Sequence, residues 1–299
     1  MTVLVKGSLP KALALDAGSN VYWVNGAGNR FVLVDASQTN DVQLWIDSGP
    51  DWARSLVLEA GAWRSKEGGQ ADGLVFILPA QTSADLRMVL FNVDGSRPEA
   101  CGNALRCLAR VAFDLGLVAR TCFVVETDAG ERRANALEKN HAESIVSMGA
   151  PRLIHGRLSL EVCGRMVTGL SISMGNPHFV VDSNTVSDSE VAHLGAALSI
   201  HPQFQDGTNV EFVFGIPDAP RVRVWERGVG ETEACGSGAC AVAHALYGTA
   251  LIRRELTLSL TGGSLVVGRD THGIWLRGGA RWESLQLGTP HTTEPRLDR

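Results

Sequence analysis

The sequence predicts an α+β protein made of two related domains whose equivalent loops face one cleft. The first observation is a repeated tetrapeptide, Glu-Ala-Cys-Gly, at 99–102 and again at 233–236. The second is an echo in the same order: Gly-Asn at 28–29 leads into FVLVD, and Gly-Asn at 175–176 leads into FVVD. Two repeats separated by nearly half of the 299 residues indicate an internal duplication. The third is that strands and helices do not alternate regularly, which argues against a doubly wound parallel sheet.

Each half has the same predicted order of elements around its cysteine. In the first half, a strand-like run at 88–93 precedes a Gly turn and Cys101, and a helix follows at 103–115 with Gly116 as terminator. In the second half, a strand-like run at 221–225 precedes Cys235 and a helix that ends near Gly248. Further strand-like runs lie at 74–78, 121–126, 166–172 and 256–260.

Composition and charge exclude several classes of protein. Apolar residues make up 44% and charged residues 20% of the chain, which is a globular balance. The net charge of −5 and the scattered charges argue against a nucleic-acid or anionic-membrane partner. No apolar run approaches the roughly 18 residues of a membrane helix, and the N-terminal stretch lacks the continuous apolar region of a signal peptide. We therefore expect a cytoplasmic protein.

The six cysteines fit neither a disulfide framework nor a metal site. Disulfides belong to exported proteins, and zinc prefers Cys-x2-Cys or Cys/His clusters. The close pairs here, Cys101 with Cys107 and Cys235 with Cys240, have other spacings. A lone cysteine is more often a buried small apolar residue than a catalyst, and we assign Cys107 and Cys240 to packing. For Cys101 and Cys235, by contrast, the symmetric placement inside a repeated motif indicates a catalytic role.

Both motif cysteines are predicted to lie at the N-terminus of a helix. Free N–H groups and the helix dipole bind anions there and lower the pKa of a thiol. Gly102 and Gly236 follow directly and let a ligand approach the backbone. A carboxylate held between the two helix ends would place its α-carbon between the two sulfurs. A thiolate on one face and a thiol on the other can then invert that carbon without a cofactor.

At these residues the chain resembles the diaminopimelate epimerase family. FNVDGSRPEACGNALRC and WERGVGETEACGSGACA are similar to its two active-site segments, and SMGNPHFVV and GAGNRFVLVD to two further signatures. The C-terminal GIWLRGGARWESLQLG resembles its closing strand. The resemblance implies two pseudo-symmetric domains, each with a mixed β-sheet or barrel around a central helix. It also implies a homodimer and exchange of LL- and meso-diaminopimelate without pyridoxal phosphate, for which no cofactor or metal is expected.

The resemblance also implies roles for individual residues. Cys101 and Cys235 would be the acid/base pair, Glu226 would hold the α-ammonium, and His178 would lie close to the thiols. The contacts to the reacting carboxylate would come from Gly102, Asn103, Gly236 and Ser237. The distal amino-acid end would be bound by Asn29, Asn92, Asn176, Asn209 and Arg227.

The chain departs from the family pattern at a few places. Gln70 replaces a glycine of the Gly-Ile-Gly-Ala-Asp stretch, and Arg30 replaces an aspartate. Ala104 and Leu105 replace a glycine and a small residue after Cys-Gly-Asn. Leu105 fits the apolar face of the helix, so we interpret this change as structural. Gln70 and Arg30 lie near the expected substrate loops and bear on the identity of the substrate.

Domain boundaries follow from the duplication and the resemblance together. We expect an N-terminal domain at 1–147 and a C-terminal domain at 148–277. Residues 1–20 would be an extension outside the family pattern. The C-terminal strand at 278–288 would complete the first domain.

Other functions remain open from the residues. A cofactor-independent racemase of another amino acid would keep the cysteine pair and change the distal set. A non-catalytic descendant that binds an amino acid would not need both thiols. A thiol-redox protein could join the facing cysteines in a disulfide, which would remove the pair that proton transfer needs. Dinucleotide binding is not expected, because 26–28 and 228–230 lack the third glycine of that fingerprint.

Overall fold

The structure is a computed structural model that describes most of the chain. The described residues are 20–58, 64–65, 70–99, 101–137, 143–182, 184–283 and 285–286. The N-terminal extension expected from the sequence lies outside them, apart from its last residue. Within these ranges, no helix is long and apolar enough to cross a membrane.

The chain alternates between long runs of strands and a few helices. The strands are β1 Asn20–Gly26, β2 Asn29–Asp35, β3 Arg64–Ser65, β4 Gly73–Leu78, β5 Leu86–Asn92, β6 Cys122–Thr127, β7 Gly130–Ala136, β8 Glu143–Gly149, β9 Arg152–Val162, β10 Arg165–Ser173, β11 Pro177–Val181, β12 Asn209–Ile216, β13 Ala219–Glu226, β14 Gly230–Thr232, β15 Leu256–Leu260, β16 Gly263–Asp270, β17 Gly273–Gly279, β18 Arg281–Glu283 and β19 Leu285–Gln286. The helices are α1 Val42–Leu58, α2 Gly102–Asp114, α3 Val191–Ser199 and α4 Gly236–Tyr247, with short 3₁₀ turns at Asp188–Glu190 and Gly248–Arg253.

The strand pairings repeat. One series runs β18–β1–β2–β4–β5–β6–β7–β8, and the other runs β9–β10–β11–β12–β13–β15–β16–β17. In both series the third and fifth pairings, β2–β4 and β5–β6 in the first and β11–β12 and β13–β15 in the second, are parallel. The other pairings of both series are antiparallel. The same order of pairings in two halves of one chain confirms the predicted α+β fold with internal pseudo-symmetry.

The last strands of the two series, β8 and β17, pair antiparallel with each other. Within a few residues β8 continues into β9, the first strand of the second series, and β17 continues into β18, the first strand of the first series. Each series therefore closes on itself like a barrel. The domain boundaries expected at 147/148 and 277/278 fall inside β8 and β17. The division into domains 1–147 and 148–277 stays a proposal, which the pairing of β18 with β1 supports.

Each closed series surrounds one apolar helix. All residues of α2 from Gly102 to Ala112 are buried, and α4 is buried over most of its length. Leu105 and Leu108 point into this core, where a fully buried leucine contributes about 1.5–3 kcal/mol of stability. Gly116 ends α2 with a left-handed φ of 69°, which a glycine adopts without strain. The helices predicted around the two cysteines are confirmed.

The other two helices lie over separate apolar clusters. α1 packs with Trp45 and Trp52 against Phe76 and Phe91, whose rings meet edge to face. α3 packs against strands β12 and β13 of the second series. Since α1 connects β2 to β4 and α3 connects β11 to β12, they occupy equivalent places in the two series.

Candidate active site

The two motif cysteines occupy equivalent positions at the ends of the central helices. Cys101 is the N-cap of α2 and Cys235 is the N-cap of α4, both in extended backbone conformation. In each case the cysteine carbonyl accepts the first helical hydrogen bond, at 2.9 Å from the amide of Leu105 or Ala239. The free N–H groups at the start of each helix therefore lie next to its own cysteine.

The two helix ends meet through glycines. A Cβ added to Gly236 would lie 3.6 Å from the Cα of Gly102 and 2.9 Å from Leu276 Cδ2. A Cβ added to Gly102 would lie 2.9 Å from Met148 Sδ. No larger residue fits at either place without moving its neighbours. The glycines that the sequence placed after each cysteine thus bring the two helix ends into contact.

Asn103 links the first cysteine loop to two other loops. It is 1% exposed, and its Nδ2 donates to Asn29 Oδ1 at 2.5 Å and to the Ala234 carbonyl at 3.3 Å. Its Oδ1 has no hydrogen-bond partner among the described residues. The loop at 28–29 is therefore fixed against both cysteine motifs.

Burial has the largest effect on the acidity of the two thiols. The pKa of Cys235 is well above its ordinary value because of desolvation, and the negative charges of Glu226 and Glu211 raise it further. Ser237 and the Gly238 amide, each 3.4 Å from Cys235 Sγ, act in the opposite direction. The pKa of Cys101 is also raised, first by burial. The sequence-based expectation of lowered thiol pKa values is wrong, because desolvation outweighs the helix-end N–H groups.

An acid and a histidine stand beside the thiols. Glu226 is the last residue of β13, and Thr232 donates its hydroxyl to Glu226 Oε1 at 2.6 Å. Burial raises the pKa of Glu226, and its charge raises the pKa of both Cys101 and Cys235. His178 is fully buried. Its Nδ1 lies 2.7 Å from Glu211 Oε1, and Glu211 packs against Gly238 beside Cys235, which places His178 in the same cluster.

Glu211 is a site residue that the sequence-based reasoning missed. It is fully buried, and its Oε1 lies 2.7 Å from His178 Nδ1. The other ring nitrogen of His178 lies 3.0 Å from Asn176 Oδ1. A Cβ on Gly238 would lie 2.6 Å from Glu211 Oε1, so this carboxylate packs against the first turn of α4. Its signal in the sequence is a lone charge inside the apolar strand NVEFVFGI.

The residues expected to bind the distal end of a substrate are placed unequally. Asn209 uses both ends of its amide on backbone groups, donating to the Pro177 carbonyl at 2.9 Å and accepting from the Arg227 amide at 3.0 Å. The Arg227 guanidinium donates to the Asp206 carbonyl at 2.8 Å. Asn92 ends β5, where its Nδ2 donates to Ser96 Oγ at 3.0 Å. The contacts connect Asn209 with Arg227 and Asn176 with His178, and none joins Asn92 to the others within the described residues.

The departures from the family pattern are structural where their contacts are defined. Arg30 pairs with Glu283 at 3.4 Å, and its backbone exchanges two hydrogen bonds with Asp72. Leu105 is buried in the core, as interpreted from the sequence. Gln70 is exposed. A groove of about 510 Å³ on strands β6 to β8, beside Trp275, is lined by none of the expected site residues.

All six cysteines are free thiols, so Cys101 and Cys235 are not joined in a disulfide.

The fold and the paired cysteine loops define an isomerase of the amino-acid racemase and epimerase class. The family model described as diaminopimelate epimerase matches residues 21–154 and 170–282. The chain belongs to the diaminopimelate epimerase family.

Individual relatives agree with this assignment. The chain is 42% identical over 258 residues to a diaminopimelate epimerase of Desulforudis audaxviator strain MP104C, covering 82% of this chain and 89% of that protein. It is 37% identical over 278 residues to one of Synechococcus sp. strain JA-2-3B'a(2-13), covering 85% and 93%. A hydroxyproline epimerase from Agrobacterium vitis, solved with bound trans-4-hydroxy-L-proline, superposes with a TM-score of 0.64. It is 16% identical and covers 90% of this chain and 93% of its own, which shows a shared fold.

Proposed function

We propose that this chain interconverts LL- and meso-diaminopimelate by proton transfer between Cys101 and Cys235. The observation that carries the proposal is the meeting of two pseudo-equivalent helix ends, each capped by a cysteine and followed by a glycine. The names of the relatives support diaminopimelate as the substrate.

The substrate carboxylate would bind the free N–H groups of both helix ends, including those of Gly102, Asn103, Gly236 and Ser237. One sulfur, as thiolate, takes the α-proton, and the electrons of the C–H bond delocalise toward the carboxylate. The other sulfur, as thiol, gives a proton to the opposite face. Helix-end donors stabilise the charge that builds on the carboxylate. The same two sulfurs serve both directions with their roles exchanged.

Glu226 connects substrate binding to thiol acidity. The negative charge of Glu226 raises the pKa of both thiols. A substrate α-ammonium held by Glu226 would neutralise that charge and bring a cation close to both sulfurs. The thiol pKa values then fall when the substrate is present. His178, held by Glu211 and Asn176, would line the same space.

The distal amino-acid end would be recognised by Asn29, Asn92, Asn176, Asn209 and Arg227. An Arg fork suits a carboxylate, and amides serve both a carboxylate and an ammonium. In this arrangement Asn209 would hold the backbone of Arg227, whose guanidinium turns to the ligand. A racemase of a simpler amino acid would not need this set.

Proton NMR in D2O tests the proposal, with reduced protein, LL-diaminopimelate and no added cofactor. We expect loss of the α-proton signal together with formation of the meso isomer. Cys101→Ala and Cys235→Ala should abolish epimerisation while the circular dichroism spectrum is retained. Cys122→Ala, at an exposed cysteine outside the site, is the matched control and should remain active. Full activity in either site variant contradicts the two-cysteine mechanism, and exchange with another amino acid alone contradicts the substrate.

We further propose a cytoplasmic homodimer that acts on a free amino acid, without nucleic-acid or membrane partners. Six free thiols suit a reducing compartment, and the net charge of −5 disfavours anionic partners. Light scattering should give twice the chain mass of 31.9 kDa. A mass of 31.9 kDa across the working concentration range contradicts the dimer.

A further inference from the structure

Glu211 is a buried carboxylate to which the proposed proton transfer assigns no role. It lies on β12 and is fully buried. Its Oε1 lies 2.7 Å from His178 Nδ1, while its Oε2 has no hydrogen-bond partner within the described residues. Burying a carboxylate with one oxygen unpaired opposes folding, so packing does not account for a glutamate at this place.

The first turn of α4 leaves room for this carboxylate. A Cβ on Gly238 would lie 2.6 Å from Glu211 Oε1 and 3.2 Å from both its Cγ and its Cδ. The amide of Gly238 in turn donates to Cys235 Sγ at 3.4 Å. Glu211, His178 and the helix end that carries Cys235 are therefore joined by direct contacts.

The corresponding place in the first half of the chain is apolar. In both halves, the residue two places after the asparagine of the Gly-Asn loop forms the first pair of a parallel ladder. Two further positions correspond, namely the third pair of that ladder and the residue three places after the motif cysteine. The counterparts are Phe31 for His178, Val75 for Glu211 and Ala104 for Gly238. All three counterparts are buried in one apolar cluster, so the fold fills this place without polar groups.

His178 connects the buried carboxylate to Asn176. The ring is fully buried, and its Nε2 lies 3.0 Å from Asn176 Oδ1. A carboxylate and an amide oxygen are both acceptors, so the ring has an acceptor at each nitrogen and is held from both sides. Asn176 is half-buried, and it follows Gly175, where an added Cβ would meet nothing within 4 Å. Among the described residues, the contact with His178 is therefore the one that orients the Asn176 amide.

We propose that Glu211 is a positioning residue, which holds the His178 ring and through it orients the Asn176 amide for the distal end of the substrate. This inference rests on the proposed function, which places Asn176 in the distal set. Without Glu211, the Asn176 side chain would have to be ordered whenever a substrate binds, and that ordering lowers affinity. Because the distal contacts are the same in the ground state and the transition state, KM should rise while kcat changes little.

A double variant that copies the first half of the chain tests the inference. Glu211→Val with Gly238→Ala removes the carboxylate and fills the room that it leaves. We expect KM for LL-diaminopimelate to rise about three- to tenfold, with kcat within about twofold of its original value. Glu211→Gln, whose amide can still bond His178 Nδ1, should keep KM within about twofold of its original value.

The Asn176 side-chain amide gives a second readout, which needs no turnover. Its NH2 signal in proton–nitrogen correlation spectra can be assigned by its loss in Asn176→Asp. We expect a narrow signal in the unmodified protein and in Glu211→Gln, and a broadened one in the double variant. Val213→Ala is the matched control, because it removes a buried side chain from the same strand. It should lower thermal stability and leave both KM and the Asn176 signal in place.

Three results would overturn the inference. The first is a folded double variant with unchanged KM and a narrow Asn176 signal. The second is a rise in KM as large in Glu211→Gln as in the double variant. The third is a broadened Asn176 signal in the unmodified protein, which decides the matter even if the double variant does not fold. Failure of the proposed function would appear separately, as absent α-proton exchange in an unmodified protein whose Asn176 signal is narrow.

Discussion

Gly236→Ala tests whether the two helix ends must touch for the enzyme to work. The added Cβ would lie 2.9 Å from Leu276 Cδ2, 3.4 Å from Asn103 Oδ1 and 3.6 Å from Gly102 Cα. The first distance is shorter than an ordinary carbon contact, so either the terminal methyl group of Leu276 or α4 itself must shift. Overpacking of this kind lowers the free energy of unfolding by about 1–3 kcal/mol. Replacing glycine by alanine also restricts the unfolded chain, which raises the free energy of unfolding by about 0.4–1 kcal/mol.

The effect on activity should exceed the effect on stability. The proposed reaction requires one carbon to sit between two sulfurs on separate helices, and a displacement of about 1 Å can cost about 100-fold in rate. The methyl group also occupies the approach to the helix-end amides. We therefore expect a loss of unfolding free energy of about 1–2 kcal/mol and a fall in kcat/KM of about 100-fold or more.

Urea unfolding and the coupled measurement of epimerisation together check this expectation. Gly268→Ala is the control, since its Cβ would meet the far end of the Trp275 ring on β17, away from the thiols. That variant should lose at least as much stability as Gly236→Ala, because its Cβ would overlap the rigid Trp275 ring more deeply than the Gly236 Cβ overlaps Leu276, and it should keep its activity. A folded Gly236→Ala protein with near-normal kcat/KM would refute the claim that the glycine contact sets the distance between the cysteines.

Two further changes test the buried acids. Because burial raises the folded-state pKa of Glu226, its ionisation opposes folding as pH rises above the unfolded-state pKa. Glu226→Gln should therefore be more stable than the unmodified protein at pH 8, lose that advantage toward pH 4, and no longer catalyse epimerisation. If urea titrations gave the variant and the unmodified protein the same free energy of unfolding at both pH values, this reasoning would be contradicted. Glu211→Gln replaces a charge-assisted hydrogen bond to His178 by a neutral one and should cost about 1–2 kcal/mol, while Glu211→Ala should cost about 3–5 kcal/mol. Equal unfolding free energies for these two variants would mean that the contact with His178 contributes nothing.

Local sequence patterns were enough to predict the helices and strands around the cysteines. The order of strand, Gly turn, cysteine and helix recurs, and α2 at Gly102–Asp114 differs from the predicted 103–115 by one residue at each end. The duplicated cysteine motif also predicted that Cys101 and Cys235 would take equivalent positions. These features depend on neighbours in sequence, such as an N-cap, an apolar face and a terminating glycine.

The missed features depend on partners far apart in the chain. Glu211 is recognisable as a charge inside an apolar strand, but its partner His178 is brought to it by the parallel pairing of β11 with β12. The thiol acidity was predicted with the wrong sign because helix-end amides are visible in a sequence and desolvation is not. Arg106 reads as an ordinary helical arginine until the closed series of strands is seen to surround it.

The duplicated fold places the two cysteines in equivalent positions, but the proposed reaction needs one of them as a thiolate and the other as a thiol. Equivalent strands β5 and β13 lead to the two cysteines, yet one ends in the neutral Asn92 and the other in the acidic Glu226. Of the two equivalent central helices, α4 has the carboxylate of Glu211 packed against Gly238 in its first turn, and α2 carries Arg106, which donates to the Gly102 carbonyl. When one of two equivalent neighbouring thiols ionises, its charge raises the pKa of the other, so one thiolate and one thiol can coexist even in identical surroundings. The departures from symmetry therefore do not create the thiolate–thiol pair that the proposed mechanism needs; they bias which of the two sulfurs holds the proton.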